Sequence, residues 1–213
     1  MAKRKKKLLL GFFEYTGSIG KKKKEESKEV KISRPPTVKQ MEVRLKFALA
    51  TRFLAKASSL IEIGFRKAPT RYSTEMNCAV QYTLANAITG EFPNYYIDYP
   101  KVVLNYGDGD SDDARQASIS VSARCIVNIA WQLYPYPRKE SATCDQLMIF
   151  LYCEKTDQGI VVERTAKRDS LKLALQLQTA FSGYKFHIWM FFMSENAKHV
   201  SHTQYMGEVT LIN

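Results

Sequence analysis

Leu147-Met-Ile-Phe-Leu-Tyr-Cys153 and Phe186-His-Ile-Trp-Met-Phe-Phe-Met193 are apolar at almost every position over the length of one strand. Side chains alternate between the two faces of a strand, so runs of this kind are apolar on both faces. They belong at the centre of a sheet, or in strands covered by helices or by another subunit. Around them the apolar period after Pro93 is two. Candidate strands fall at Lys101–Tyr106, Ala117–Ala123, Cys125–Leu133, Gln146–Cys153, Gly159–Arg164, Ser170–Leu177, Lys185–Ser194 and Thr203–Leu211. Turn chemistry separates them at Gly107-Asp-Gly-Asp-Ser-Asp-Asp113, Pro135-Tyr-Pro137, Asp157-Gln-Gly159 and Ser182-Gly183. This spacing predicts an antiparallel sandwich of immunoglobulin type over residues 101–213.

Before Pro93 the period is helical. Pro35-Pro36 closes an N-terminal region, Thr37 is a capping residue, and Lys39 to Ile63 is predicted as one long helix. Val43, Phe47, Ala50, Leu54, Ala57 and Ile61 form its apolar stripe, with Lys39, Lys46, Arg52 and Lys56 off the stripe and Gly64 as a stop. A second helix is predicted from about Ser73 to Ile88, with Met76, Val80, Leu84, Ala87 and Ile88 buried and Gly90 ending it. The expected fold class is therefore α+β: a basic N-terminal arm (1–36) and two helices (37–100), followed by the immunoglobulin-like β-sandwich.

Charge is distributed as unevenly as the periodicity. Of the net +11, residues 1–34 hold 12 Lys/Arg against 4 Asp/Glu, whereas residues 71–213 hold 13 against 15. A basic head on a slightly acidic body points to an anionic partner. Lys3, Arg4, Lys5, Lys6, Lys7, Lys21, Lys22, Lys23 and Lys24 are the candidates for that contact, whether with nucleic acid or an acidic protein surface; the alternative is a solvated tail that serves solubility. The apolar run Leu8–Phe13 is shorter than the roughly 7–15 residues of a secretion signal. No segment approaches the ~20 apolar residues of a membrane span. The chain is expected to be soluble, unexported and without a membrane role, its four cysteines reduced.

The middle of the chain carries a specific pattern: Thr37-Val-Lys-Gln40, Arg44, Phe47, Ile63-Gly-Phe65, Asn77-Cys-Ala-Val-Gln-Tyr82, Asn86-Ala-Ile-Thr-Gly90, Pro93, Tyr96-Ile-Asp-Tyr99 and Lys101-Val-Val-Leu104. It resembles an uncharacterised family, a domain of unknown function of Bacteroidetes-group bacteria and their phages, crAss-like phages expected among them. The family opens with a glycine box like Gly17-Ser-Ile-Gly20 and ends β-rich. This chain departs from it at the Lys-rich first seven residues and at Lys21–Lys24, where the family runs as a hairpin strand. The resemblance brings no established activity and so no catalytic residue. By analogy it implies a phage virion component made in the host cytoplasm: a ring subunit of the portal-to-tail connector, with portal and tail proteins as partners. Phe47, Leu54, Phe65, Tyr95, Tyr96 and Tyr99 are then the candidate assembly or packing residues. The alternative is a non-specific nucleic-acid-binding accessory protein acting through the arm.

Catalytic and cofactor patterns fail at named positions, so neither an enzyme nor a cofactor or metal is expected. Gly17 and Gly20 are too close for a Walker loop, and Lys22 stands where Ser or Thr is required. The alternating Asp108, Asp110, Asp112 and Asp113 lack the glycine and glutamate of a calcium loop, having Asp113 and Ile119 there. His187 is expected in a core or interface, and His199 and His202 have no neighbouring cysteine. Phe92, Tyr95, Tyr96 and Tyr99 are expected to cover the helix–sandwich junction, with stacking on bases as the alternative. Trp131 and Trp189 are expected as core or interface anchors.

Overall fold

The computed structural model describes residues 35–68, 73–107 and 109–212, together with the backbone of two short strands in the arm, β1 (Leu9–Leu10) and β2 (Phe13–Glu14). These two pair antiparallel, Leu9 opposite Glu14 and Leu10 opposite Phe13. Lys3–Lys7 and Lys21–Lys24, the expected short strand Glu29–Ser33 and Asp108 lie outside the described residues. The chain divides into two compact units, 1–35 and 36–213.

The second unit is built in three layers. Strands β7 (Gln146–Cys153), β8 (Gln158–Lys167), β10 (Lys185–Met193) and β11 (Gln204–Thr210) form an antiparallel sheet in the order β11-β10-β7-β8. Strands β5 (Arg115–Ser122), β6 (Ile126–Gln132) and β9 (Lys172–Gln176) form a second sheet in the order β5-β6-β9. The chain changes sheet between β6 and β7, β8 and β9, and β9 and β10, which gives the cross-connected strand order of an immunoglobulin-like sandwich.

The doubly apolar strands occupy the middle layer. Leu147, Ile149, Leu151, Ile188, Met190 and Phe192 pack against Val127, Ile129 and Trp131 of the second sheet. The alternate residues Met148, Phe150, Tyr152, Trp189 and Phe191 pack against the helices. Of the coverings that the sequence left open for the second face, the helical layer is the one found.

That layer is α1 (Val38–Leu54), a 3-10 turn (Ala55–Ala57), α2 (Ser58–Gly64) and α3 (Glu75–Asn86). Thr37 caps α1 in a full capping box: its Oγ1 accepts from the Gln40 N–H at 3.3 Å, and Gln40 Oε1 accepts from the Thr37 N–H at 3.0 Å. The expected single helix is broken at 55–57. There the chain presses on β8 so closely that a Cβ at Gly159 would lie 2.7 Å from Lys56 Cβ and 2.8 Å from the Phe150 ring. The helical run does end at Gly64, as expected, and the glycine has a packing reason besides. A Cβ there would lie 2.5 Å from Leu104 O and from Asn105 Cβ, so close approach accounts for it.

Two further elements correct the sequence reading. The second helix ends at Asn86, and Ile88 opens a hairpin, β3 (Ile88–Glu91) and β4 (Asn94–Ile97), with Gly90 at φ +101°. The expected strand 101–106 is instead the end of a 3-10 turn (Tyr99–Lys101) and an extended segment. Its Leu104 N–H donates to Thr203 Oγ1, Asn105 Nδ2 to Ser201 O and the Tyr106 N–H to Gly64 O, so side chains and loops replace a ladder.

Candidate functional site

Three elements that are distant in sequence enclose an aromatic cleft of about 250 Å³. Helix α1 brings Leu49, Arg52 and Phe53. The β3–β4 hairpin and the turn after it bring Tyr95, Tyr96 and Tyr99, and the end of β7 brings Tyr152. Phe53 is the pivot, with its ring edge-on to Tyr152 at 5.0 Å and to Trp189 at 5.8 Å. Tyr99 lies 6.0 Å from Phe53 and stacks on His187 at 4.0 Å. Edge-on and offset rings are the favourable arrangements for aromatic pairs, and they hold the floor of the cleft rigid.

The polar side of the cleft is organised by Asp157 in the β7–β8 turn. Arg52 Nε donates to its Oδ2 at 2.7 Å, Lys56 Nζ lies 2.9 Å from Oδ1, and Tyr152 Oη donates to Oδ1 at 2.9 Å. Burial pushes the Asp157 carboxyl up, but these three donors outweigh it and hold it at about 2. Tyr99 is pushed up to about 12 by burial and then by the Glu154 charge. Tyr152 is raised by burial and by its bond to Asp157. Both phenols are therefore neutral across the physiological range, and Tyr152 commits its one O–H to Asp157. Lys46 Nζ sits 4.5 Å above the Tyr95 ring and closes one flank.

The sequence-predicted residues divide between this cleft, the core and the open surface. Tyr95, Tyr96 and Tyr99 come together here, Tyr96 58% exposed at the rim. Leu54 and Phe65 lie in the core at 0% and 3% exposure, which makes them packing residues. Phe47 is 50% exposed on α1, away from the core. Trp131 and Trp189 are core anchors, and His187, 7% exposed, donates to or accepts from Tyr205 Oη through Nδ1 at 2.8 Å. Sequence reasoning missed Phe53, Arg52, Tyr152, Glu154 and Asp157 as cleft residues. The Arg52–Asp157 pair spans 105 positions, and no local spacing signals it.

The acidic run and the histidines serve the loops. Asp112 accepts the Arg138 N–H at 2.8 Å, and Asp113 accepts the His202 N–H at 2.8 Å. His199 Nε2 lies 3.3 Å from Glu140 Oε2 beside a polar hollow of about 400 Å³ that Cys144, Asp145 and Ser194 also line. Beneath it Arg168, 5% exposed, reaches Asp145 Oδ2 with Nε and Nη2, both at 3.1 Å, and stacks 4.0 Å over Phe192. No three His, Cys, Asp or Glu among the described residues are placed to share a metal ion. No helix among the described residues is long and apolar enough to cross a membrane.

The chain belongs to a family of unknown function (DUF6266), whose pattern it matches over residues 20–207. No curated protein matches it. Among solved structures it is similar to the fn3 domain of the human collagen alpha-1(XX) chain, at 8% identity and a TM-score of 0.37, over 50% of this chain and 91% of that one. It is also similar to a computationally redesigned β-sandwich protein (10% identity, TM-score 0.34, 48% and 91% covered) and to the fn3 domain of human contactin 1 (10%, 0.31, 48% and 80%). The sandwich follows from the strand order given above and needs no support from these likenesses.

Proposed function

We propose that this protein is a structural subunit of a phage virion, a homo-oligomeric ring component of the portal-to-tail connector that acts by assembly and not by catalysis. One observation supports the assembly reading above the others. The apolar stripe of α1 continues past the end of the core: Ala50 and Leu54 are buried, but Val43 is 67% and Phe47 50% exposed on the same face. Contiguous apolar surface of this kind marks an interaction site. Covering Phe47 and Val43 contributes roughly half of the 1.5–3 kcal/mol that full burial of each side chain would. The basic head and acidic body favour contact between unlike surfaces of neighbouring copies, and such head-to-tail contacts form a ring where the rotation closes. The phage setting and the portal and tail partners come from the family resemblance.

The test is the mass of the full chain in solution by analytical ultracentrifugation, with electron microscopy of the particles and mass spectrometry of purified virions. A closed ring present in the virion is expected, and Phe47→Glu is expected to dissociate it with the fold intact. Monomeric, folded protein inside and outside the particle would overturn the reading. A second reading, non-specific nucleic-acid binding, is favoured by the exposed Lys39 and Arg44 on α1 together with the Lys-rich arm. It requires that deleting residues 1–34 abolish duplex binding and flatten its salt dependence.

A further inference from the structure

The 3-10 turn Tyr99–Lys101, which follows the β3–β4 hairpin, packs on the sheet over a histidine. The His187 ring of β10 stacks on the Tyr99 ring at 4.0 Å, with 29° between the planes. Its Nδ1 shares a hydrogen bond of 2.8 Å with Tyr205 Oη, and the Trp189 ring lies 6.2 Å away. From the sheet, Trp189 Nε1 donates to Tyr99 O at 3.2 Å. The other backbone bonds around the turn stay within it and the helical layer: Asp98 N–H to Ala87 O, Lys101 N–H to Asp98 O and Val102 N–H to Tyr99 O. Ring packing therefore carries much of the hold of this turn on the sheet. The histidine is the part of that packing whose ordinary titration lies near neutral pH.

Each element around the ring brings titratable groups to it. Tyr99 comes from the turn, Tyr152 and Glu154 from the end of β7, Tyr205 and Glu208 from β11, and Lys185 from β10 itself. Burial first of all pushes the three phenols up, so they stay neutral. Lys185 donates to Glu208 at 2.7 Å and holds that carboxyl below the usual range. Glu154 is exposed. Burial at 7% exposure disfavours an imidazolium here, and Lys185 adds to this. Glu208, Glu154 and the face of Tyr99 favour the cation, but burial outweighs them and draws the ring below its ordinary 6.5. The folded chain thus binds this proton less readily than an open one. The resulting stabilisation is complete above about pH 6.5 and lost as the pH falls below it.

We propose that His187 is a proton-operated latch. Its neutral ring holds the Tyr99–Lys101 turn and the β3–β4 hairpin on the sheet, and protonation at mildly acidic pH releases them while the sandwich stays folded. The sandwich survives because Leu147, Ile149, Ile188 and Met190 pack on the opposite face of the middle strands, away from the ring. A segment with few ties to the core opens before the core does. Release of the turn also opens the cleft, since Tyr95 and Tyr96 lie on β4 and Tyr99 in the turn. The latch does not depend on self-assembly.

The test is hydrogen–deuterium exchange of the full chain at pH 7.5 and pH 5.5, with exchange times scaled to the intrinsic rates. An open turn whose histidine titrates at the ordinary value gains up to about tenfold in population between these two conditions. Amides of residues 94–102 are expected to lose protection by up to that factor at pH 5.5, with β7 and β10 unchanged. In His187→Gln, which cannot take up the proton, equal protection of 94–102 at both pH values is expected. The variant also separates His187 from His199 and His202, which lie in the loop before β11. In the parent, the His187 ring followed by NMR is expected to titrate with a midpoint below 6.5, and this decides the matter if the variant does not fold. A midpoint at 6.5 or above, or protection of 94–102 that is the same at both pH values in the parent, overturns the latch. So does an equal loss in His187→Gln, or a loss spread evenly over β7 and β10.

Discussion

Asp157 is the residue on which the cleft's polar side depends, and its effect follows the proton. Its carboxyl sits at about 2 in the folded chain against an ordinary 3.8. The folded state thus favours the charged form. The stabilisation is complete above about pH 4 and lost as the pH falls from there toward 2. Melting temperature measured from pH 6 to 2 is expected to fall over that window in the parent, and Asp157→Asn is expected to remove this component of the slope. Arg168 is the second such residue. Burial draws its pKa down and Asp145 holds it charged, the two side chains being 7% and 1% exposed. Arg168→Met leaves Asp145 buried without its counter-charge, at a cost of about 3–5 kcal/mol. At about 2–4 °C per kcal/mol for a chain of this size, calorimetry is expected to show a loss of about 6–20 °C. Neither residue stands out in the sequence. Asp157 is placed in a turn by Asp-Gln-Gly, but its partners Arg52 and Lys56 are about a hundred positions upstream and look like ordinary solvent-facing cations of a helix.

At the scale of elements, the helical layer shows how tertiary contact overrides local periodicity. The stripe from Phe47 to Ile61 has the spacing of one uninterrupted helix, yet the chain turns at 55–57 where it meets Gly159 and Phe150. Gly159→Ala introduces a Cβ within 2.8 Å of both Lys56 Cβ and the Phe150 ring. The overpacking is expected to cost about 1–3 kcal/mol and to lower the melting temperature accordingly, read by thermal denaturation. The strands were far more legible. Residue pattern sufficed for the sandwich strands from β5 onward to within a few positions, because β5, β6 and β9 alternate in exposure and β7 and β10 are buried almost throughout. The exceptions are instructive: Ile88–Ile97 forms a hairpin of four-residue strands, too short to show a period, and 102–106 joins no ladder, its Leu104 and Tyr106 N–H groups donating to Thr203 Oγ1 and Gly64 O and its Asn105 side chain to Ser201 O.

For the whole molecule, burial separates packing from assembly. Leu54→Glu places a charge at a fully buried site between helix and sheet, and loss of the folded state by circular dichroism is the expected outcome. Phe47→Glu lies on the same stripe two turns earlier, where the side chain is half exposed. It is expected to leave the melting temperature within about 1–2 °C of the parent, since exposed substitutions are usually within ±0.5 kcal/mol, while reducing the sedimentation coefficient. A Phe47→Glu variant as unstable as Leu54→Glu would mean that the face is part of the monomer core.

The sequence by itself determined that two strands need cover on both faces, and left open whether helices or another subunit supply the second. Runs apolar at every position expose two apolar faces that water disfavours; the structure covers one with the alternating strands and the other with the helices. The sequence also determined the charge asymmetry between head and body, since formal charge is a property of composition. Only the tertiary structure decided which apolar residues are buried and which are left exposed. Val43, Phe47, Ala50 and Leu54 are equivalent in the helical pattern, and the boundary of burial falls between Phe47 and Ala50. It alone assembled the cleft, because Phe53, Tyr99, Tyr152 and Asp157 meet through long-range packing that no local spacing encodes.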